Sequence, residues 1–227
     1  MRKNAIFRAV AIWALIALPI TLLAQGCGKK TDKSSGDDTK GRPESVTAYD
    51  AVQYTKPAAD KWYDENWMIQ VRDGEPDGIS RDGKAKVWEV FYFSPTPEEK
   101  SQFLVLYNRG HVWPSIPTTS KGGDDGQAVF KKRKPPDFRV DSPEAYTVAV
   151  RNGGGEFLDA HPDAQASVKL RCRADYEAVG DKMPGPKYKW IWDVSLAEPK
   201  IDSEVLHLYI DGMNGDFITK EVQKPPA

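Results

Sequence analysis

Cysteine is scarce in this chain: its 227 residues hold only Cys27 and Cys172. Histidine is nearly as scarce, with His111, His161 and His207 as the full set. None of the three stands in a His-Glu-x-x-His pattern or beside a cysteine, so no zinc site of familiar spacing is written here. A Gly-x-Ser-x-Gly elbow is also missing. Gly122-Gly123-Asp124-Asp125-Gly126 lacks the Lys-Ser/Thr that opens a phosphate-binding helix. Charge of one sign is not in excess, with a formal net charge of −1. That balance argues against nucleic acid as the main partner. No catalytic residue, metal ligand set or cofactor is expected from these patterns.

Long apolar runs are missing too, with one exception. Met1 to Arg8 carries Arg2, Lys3 and Arg8 and no acid, and an apolar run follows from Ala9 to Ala24, broken only by Pro19 and Thr21. A membrane-spanning helix needs roughly 20 apolar residues, whereas this length and basic flank suit an export signal. The run ends in Leu22-Leu23-Ala24-Gln25-Gly26-Cys27. Small residues before a cysteine resemble the lipobox of bacterial lipoproteins, so residues 1–26 are expected to be a signal peptide cut before Cys27. Lipid on Cys27 would then hold the protein on a membrane. Gly28 is not the Asp that retains such proteins on an inner membrane, which favours an outer one where the organism has it. The alternative is an ordinary secretory signal with Cys27 a stray thiol. Bacterial lipoproteins as a class carry two or three acyl chains, and each buried methylene contributes about 0.8 kcal/mol to such an anchor.

Residues 27–43 contain no large apolar side chain after the cysteine. They cannot offset their ordering entropy by burial and are expected to form a flexible stalk reaching about 20–25 Å. Removing the leader takes the formal charge from −1 to −4, since Arg2, Lys3 and Arg8 leave with it. Cys172 then has no partner for an internal disulfide.

The remainder shows an internal echo. Trp88-Glu89-Val90, a Pro-containing gap and Phe103-Leu104-Val105-Leu106-Tyr107 are matched by Trp192-Asp193-Val194, a similar gap and Val205-Leu206-His207-Leu208-Tyr209. Upstream, Ser45 to Tyr49 faces Ser142 to Tyr146, and Trp62-Tyr63-Asp64 faces Phe157-Leu158-Asp159. In the second half, Ser142 is expected as N-cap with Pro143 in the first turn, and Gly153-Gly154-Gly155 should weaken or break that helix. Val168, Leu170, Cys172 and Ala174 alternate with Lys169, Arg171, Arg173 and Asp175, giving a strand with one apolar and one charged face. Tyr188, Trp190, Trp192 and Val194 define the next strand, Val205 to Ile210 a third, and Phe217-Ile218 a short return after the turn Asp211 to Gly215. The first half predicts a helix over roughly 45–64, with Pro57 as a kink or restart, and strands at 67–72, 84–94, 102–108 and 111–114. The expected class is therefore α+β: two similar modules, 44–120 and 142–227, each a helix packed on one face of an antiparallel sheet. A basic, proline-rich linker, 121–141, would join them.

The order of these features resembles the PepSY-type domains of exported bacterial proteins. The resembling residues are the Ser142-x-x-Ala145 helix start, Phe157-Leu158-Asp159, the strand Lys189-Trp190-Ile191-Trp192-Asp193-Val194, and Leu208-Tyr209-Ile210-Asp211 with its Asn214-Gly215 turn. In the first half Asn108-Arg109-Gly110 replaces the acidic turn. The resemblance implies a non-catalytic α+β domain, in some members one that inhibits or chaperones peptidases.

Three local features invite a functional reading. Asp73-Gly74-Glu75-Pro76-Asp77-Gly78 opens like a calcium loop, but position twelve falls on Lys84, where a bidentate Glu is needed. A hairpin connection is the plainer reading, and the same holds for Asp211, Asn214 and Asp216. Lys131-Lys132-Arg133-Lys134 suits anionic head groups or acidic wall polymer, or is a solvated connector. Of the tryptophans, Trp113 lies near a strand end before Pro114 and is the best candidate for an exposed ligand contact. Cys172, on an apolar strand face, reads as a small buried hydrophobe.

These observations lead to an expectation of a non-catalytic envelope lipoprotein. Its partners would be the membrane, through lipid on Cys27, and another envelope protein that it binds or restrains. The alternative is a binding module for cell-wall polymer or a small ligand.

Overall fold

The computed structural model describes residues 41–74, 78–96, 101–117, 134–175, 187–199 and 203–224. Helix α1 spans Ala48–Trp62. Thr47 caps it by accepting from the Asp50 N–H at 3.3 Å. Pro57 lies inside this helix and cannot donate to the Gln53 carbonyl, yet the helix continues through it. Ala48, Ala51, Thr55 and Ala59 form its buried face. These are small residues, which lets the helix sit low over Trp88, Tyr92 and Tyr107 of the sheet, all fully buried.

Strands β1 (Trp67–Asp73), β2 (Val87–Phe93), β3 (Gln102–Asn108) and β4 (His111–Pro114) follow. Helix α2 spans Ser142–Ala149. A wide turn over Val150–Gly154 then redirects the chain, with Gly153 at φ 116, a conformation that costs little only for glycine. A short helix, α3, spans Gly155–Ala160. Strands β5 (Gln165–Asp175), β6 (Lys187–Ala197), β7 (Val205–Asp211) and β8 (Phe217–Gln223) complete the order.

All eight strands belong to one antiparallel sheet in the order β4-β3-β2-β1-β5-β6-β7-β8. This overturns the expectation of two similar modules, each with its own helix on its own sheet. The seam is the β1–β5 pairing, Gln70 with Arg171, Val71 with Leu170 and Arg72 with Lys169. Hydrophobic alternation defines which face a side chain takes, not which strand lies beside it, and here β1 takes β5 as a neighbour. Across that seam a row of buried residues runs without interruption: Val105, Val90, Val71, Leu170, Trp192 and Ile210. Both helices contribute to the single core that this row anchors.

Residues 134–141, expected as part of a linker, are built into that core. Phe138 and Val140 are buried, and the backbone of Arg139 and Val140 donates to the Gly212 carbonyl at 2.9 and 3.0 Å. The last residues of the expected stalk also meet the sheet, where the Tyr107 hydroxyl donates to the Pro43 carbonyl.

The two halves perform one local task alike. Trp88 Nε1 donates to the Val46 carbonyl and Trp192 Nε1 to the Val140 carbonyl, both at 2.9 Å. Each bond ties the segment leading into a helix down to the sheet beneath it.

The start of α2 departs from the sequence expectation. Its N-cap is Asp141, not Ser142. Ser142 Oγ instead accepts from the Ala48 N–H of α1 at 3.0 Å, and Asp141 Oδ1 accepts from both Ser142 N–H at 2.7 Å and Tyr49 N–H at 2.9 Å. Gly83 makes room beside this junction: a Cβ there would lie 2.4 Å from the Pro143 Cα. Because Ser142 is fully buried, Ser142→Ala should leave the Ala48 N–H unpaired and lower unfolding free energy by about 1–2 kcal/mol. A denaturant midpoint equal to that of the parent protein would refute the cap.

Candidate functional site

Helices α1 and α2 cover the same face of the sheet, and among the described residues no helix or strand lies over the opposite face. Its composition follows from period-two alternation. On β5, Val168, Leu170 and Cys172 point into the core, which sends Lys169, Arg171 and Arg173 outward. Register then decides what they meet. Lys169 lies between Arg72 on β1 and Asp193 on β6, Arg171 between Gln70 and Ile191, and Arg173 opposite Lys189. Arg72–Lys169 and Arg173–Lys189 are therefore like-charge pairs directly across from one another, an arrangement that destabilises a sheet by a few tenths of a kcal/mol or more.

Acidic groups on this face are already engaged. Glu89 Oε2 accepts from Arg72 Nε and lies 2.5 Å from Nη2, and the Arg72 guanidinium also covers the Phe91 ring at 5.5 Å. Asp193 Oδ1 is 2.9 Å from His207 Nδ1. Arg171 Nε donates to Gln70 Oε1 at 3.2 Å. Burial, together with Arg171 and Arg72 nearby, holds the Lys169 ammonium below the ordinary lysine range, and Asp193 only partly offsets this. Burial and the Arg173 charge lower Arg171 in the same way. On β5 itself Lys169, Arg171 and Arg173 follow one another at every second position, while Arg72 is paired with Glu89, in a protein whose formal net charge is −1.

A shallow depression of about 500 Å³ lies at the end of this row, with Arg72, Glu89, Lys169, Asp193, Ser195 and His207 among its walls. Ser195 is directly opposite His207 in register. Its hydroxyl is directed to the Ser167 carbonyl at 3.5 Å rather than to the imidazole. The arrangement therefore presents no base-activated nucleophile. Among the described residues no group of three or more His, Cys, Asp or Glu side chains is placed to hold a metal, and no helix is long and apolar enough to cross a membrane.

The sequence candidates fall as follows. Trp113 is on the edge strand β4, 59% exposed, opposite Leu106 and 6.3 Å from the His111 ring. It is remote in register from the cation row. Asp73 ends β1 and is buried; its Oδ1 accepts from the Val168 N–H at 2.5 Å and from Ser167 Oγ at 2.9 Å. Burial nevertheless raises its carboxyl above the usual range. That commitment to β5 removes it from any cation-binding loop. Asp211, Asn214 and Asp216 bond to one another and to their own turn backbone. Cys27, the run 131–133, the glycine-rich stretch 122–126 and residues 75–77 lie outside the described residues. Lys169, Arg171 and Arg173 stood out in the sequence as a charged strand face. Arg72 and Lys189 did not, because only strand register brings them alongside.

No family model matches the chain, so the PepSY-type resemblance gains no support from that comparison. No curated protein matches it in sequence. Among solved structures, a protein from Clostridium difficile 630 designated a candidate lipoprotein aligns with 83% of this chain and 100% of its own, at 10% identity and a TM-score of 0.47. No functional statement passes across a likeness at that level.

Cys172 is buried and unpaired, and burial pushes its thiol up to about 12. Alkylation at pH 8 should therefore be negligible in the folded protein and rapid once denaturant unfolds it. Fast labelling of Cys172 under native conditions would place it at the surface instead.

Proposed function

We propose that this protein is an exported, lipid-anchored envelope protein that works by binding rather than catalysis. Its open sheet face would receive an anionic envelope polymer. The observation that carries this reading is the row of cations Arg72, Lys169, Arg171, Arg173 and Lys189, brought together by register across three strands. On β5 the outward positions recur every second residue, about 6.8 Å apart. A linear chain with regularly spaced negative groups fits such a row, and its arrival would relieve the like-charge pairs that the fold maintains. Electrostatic attraction of this kind is screened by salt.

A protein partner is the second reading, favoured by one observation. Edge strand β4 and the residues after it expose Trp113 and Ile116, the latter 80% accessible. An exposed edge with apolar side chains can pair with a strand of another protein. An envelope peptidase held in check would be one such partner.

The anchor rests on the leader and Cys27. Cys27→Ser should move the protein from the membrane pellet to the soluble fraction, since no acyl chain would remain to hold it. Unchanged pelleting would overturn the lipid anchor.

The binding reading is tested with that soluble form on immobilised acidic wall polymer, with polyphosphate as a second anionic probe. Retention should fall as salt is raised. Lys169→Glu with Arg173→Glu should weaken it by about tenfold or more, equivalent to roughly 1.4 kcal/mol. Retention that ignores both salt and the double substitution would refute the cationic face. Capture of one protein partner, lost in Trp113→Ala, would establish the second reading in its place.

A further inference from the structure

Most indole rings of the mature chain are kept from solvent. Trp67, Trp88, Trp190 and Trp192 are buried, and Trp62 stacks on Phe103 with ring centroids 5.0 Å apart. Trp88, Trp190 and Trp192 give their N–H to the carbonyls of Val46, Pro136 and Val140, while the buried Trp67 Nε1 has no partner. Tyr49, Tyr92 and Phe138 gather with Trp190 around a cleft of about 330 Å³ between α1 and the segment 134–138. Trp113 is the one exposed indole among the described residues, at 59%, and so forgoes the apolar burial that the others obtain.

Its neighbours are apolar too. Trp113 stands opposite Leu106, and Leu104 stands opposite Phe91. Leu104, Leu106 and Phe91 are half-buried and take the outward positions of their strands, since Phe103, Val105 and Val90 take the core side. The Ser115 N–H donates to the Leu104 carbonyl at 2.9 Å, which keeps the chain on β3 up to Ile116, 80% exposed. From Gln102 to Pro117 the sequence holds no acidic residue, and Arg109 and His111 stand at the β3–β4 turn. Nearby carboxylates are engaged, Glu89 by Arg72 and Glu44 by Lys86. As a template for another strand this edge is poor, because β4 has four residues and ends in Pro114, which has no N–H to give.

The chain that leads from Cys27 joins the fold at this same edge. The Tyr107 hydroxyl donates to the Pro43 carbonyl. Gly110, in the β3–β4 turn, approaches so closely that a Cβ there would lie 3.1 Å from the Arg42 carbonyl oxygen. The three steps from Gly110 to Trp113 cover about 10 Å of strand. Cys27 precedes Gly41 by fourteen positions, and the stalk expected from the sequence would bridge them at about 20 Å.

We infer that the β4 edge, through Trp113 and Ile116, seats in the anionic head-group region of the bilayer that carries the lipid on Cys27. An indole favours that region because its ring is apolar while its N–H can meet water or a head group. An edge without carboxylates suits a negative lipid surface. Interfacial insertion reaches about 5–10 Å, enough to take in β4 and β3. Strand β1 lies three strand spacings from β4, about 14 Å, so the cation row stays clear of the acyl boundary and open to the polymer of the reading above. The inference rests on the lipid anchor of that reading and not on its cationic face.

The test couples the mature chain through Cys27 to a maleimide-bearing lipid, in vesicles of phosphatidylcholine and phosphatidylglycerol with brominated acyl chains. Cys172 is buried and does not compete for the maleimide. Bromine quenches an indole only near contact, so a loss of tryptophan emission is expected in the parent chain and not in Trp113→Phe, whose remaining indoles are shielded. Ile116→Ser should lower the ratio of docked to undocked chains at least about fivefold. Ile218→Ala, on the opposite edge β8 where Ile218 is 49% exposed, should leave that ratio unchanged. Vesicles of phosphatidylcholine alone should quench less. Because the coupling supplies the anchor chemically, a chain that is never lipidated in the cell fails the pelleting test above and still passes this one. No quenching in the coupled parent, quenching that persists in Trp113→Phe, or an equal loss in Ile218→Ala overturns the inference. Capture of a protein strand by this edge without any quenching overturns it as well and assigns β4 to the second reading.

Discussion

The carboxylate of Asp141 sits where two helices begin, and the rest of the molecule is arranged around that meeting. Every helix starts with N–H groups that lack partners within it, and its first turn carries partial positive charge. Bringing two such ends together is unfavourable unless something negative lies between them. Asp141 Oδ1 accepts from the first turn of both helices, through Ser142 and Tyr49, and Ser142 Oγ takes the Ala48 N–H. Helix α1 therefore depends on the other half of the chain for part of its start, while α2 is capped from within its own half. The sheet repeats the dependence beneath them, where Val71 packs beside Leu170 in the unbroken buried row. Where β1 ends, the Asp73 side chain takes the Val168 N–H, so a carboxylate extends the seam past the last main-chain pairing.

This arrangement decides what the other face of the sheet can be. With α1 and α2 committed to one side, no described helix or strand covers the outward residues of the central strands. A neutral or alternating pattern there would be the stable solution, yet cations stand opposite cations at Arg72–Lys169 and Arg173–Lys189. Burial first, and neighbouring cations after it, hold Lys169 and Arg171 below their ordinary ranges. On the proposed reading, an anionic ligand would relieve that repulsion.

Much of this was legible in the sequence. The alternation of Val168, Leu170 and Cys172 with Lys169, Arg171 and Arg173 gave both the strand and its charged face, and α1 lies within the expected 45–64, although it continues through Pro57 where a kink or restart was expected. The echo between Trp88-Glu89-Val90 and Trp192-Asp193-Val194 was also meaningful, since both indoles fasten a helix-entry segment to the sheet. What it did not imply was two separate modules. Strand partnership between residues about a hundred positions apart leaves no local trace: Val71 looks the same whether its neighbour is Leu170 or an edge. The same limit hid Arg72 and Lys189 from the cation row. It also hid the role of Ser142, whose local pattern suits its own helix while its hydroxyl serves another. The partnerless Trp67 is a fact of the packed core alone, because nothing in its neighbourhood distinguishes it from the three indoles that are satisfied.

The open face and the cleft under α1 differ in what lines them. The open face attracts through charge at the surface, where salt within a Debye length of about 8–10 Å weakens the interaction. The cleft under α1 combines the aromatic rings of Tyr49, Tyr92, Phe138 and Trp190 with the charged side chains of Lys56, Lys134 and Asp137. They lie on opposite sides of one rigid sheet, and neither shares a lining residue with the other. Edge strand β4, which carries Trp113, is separated from the cation row by β3 and β2, and Trp113 is the most exposed of the Trp, Tyr and Phe side chains among the described residues.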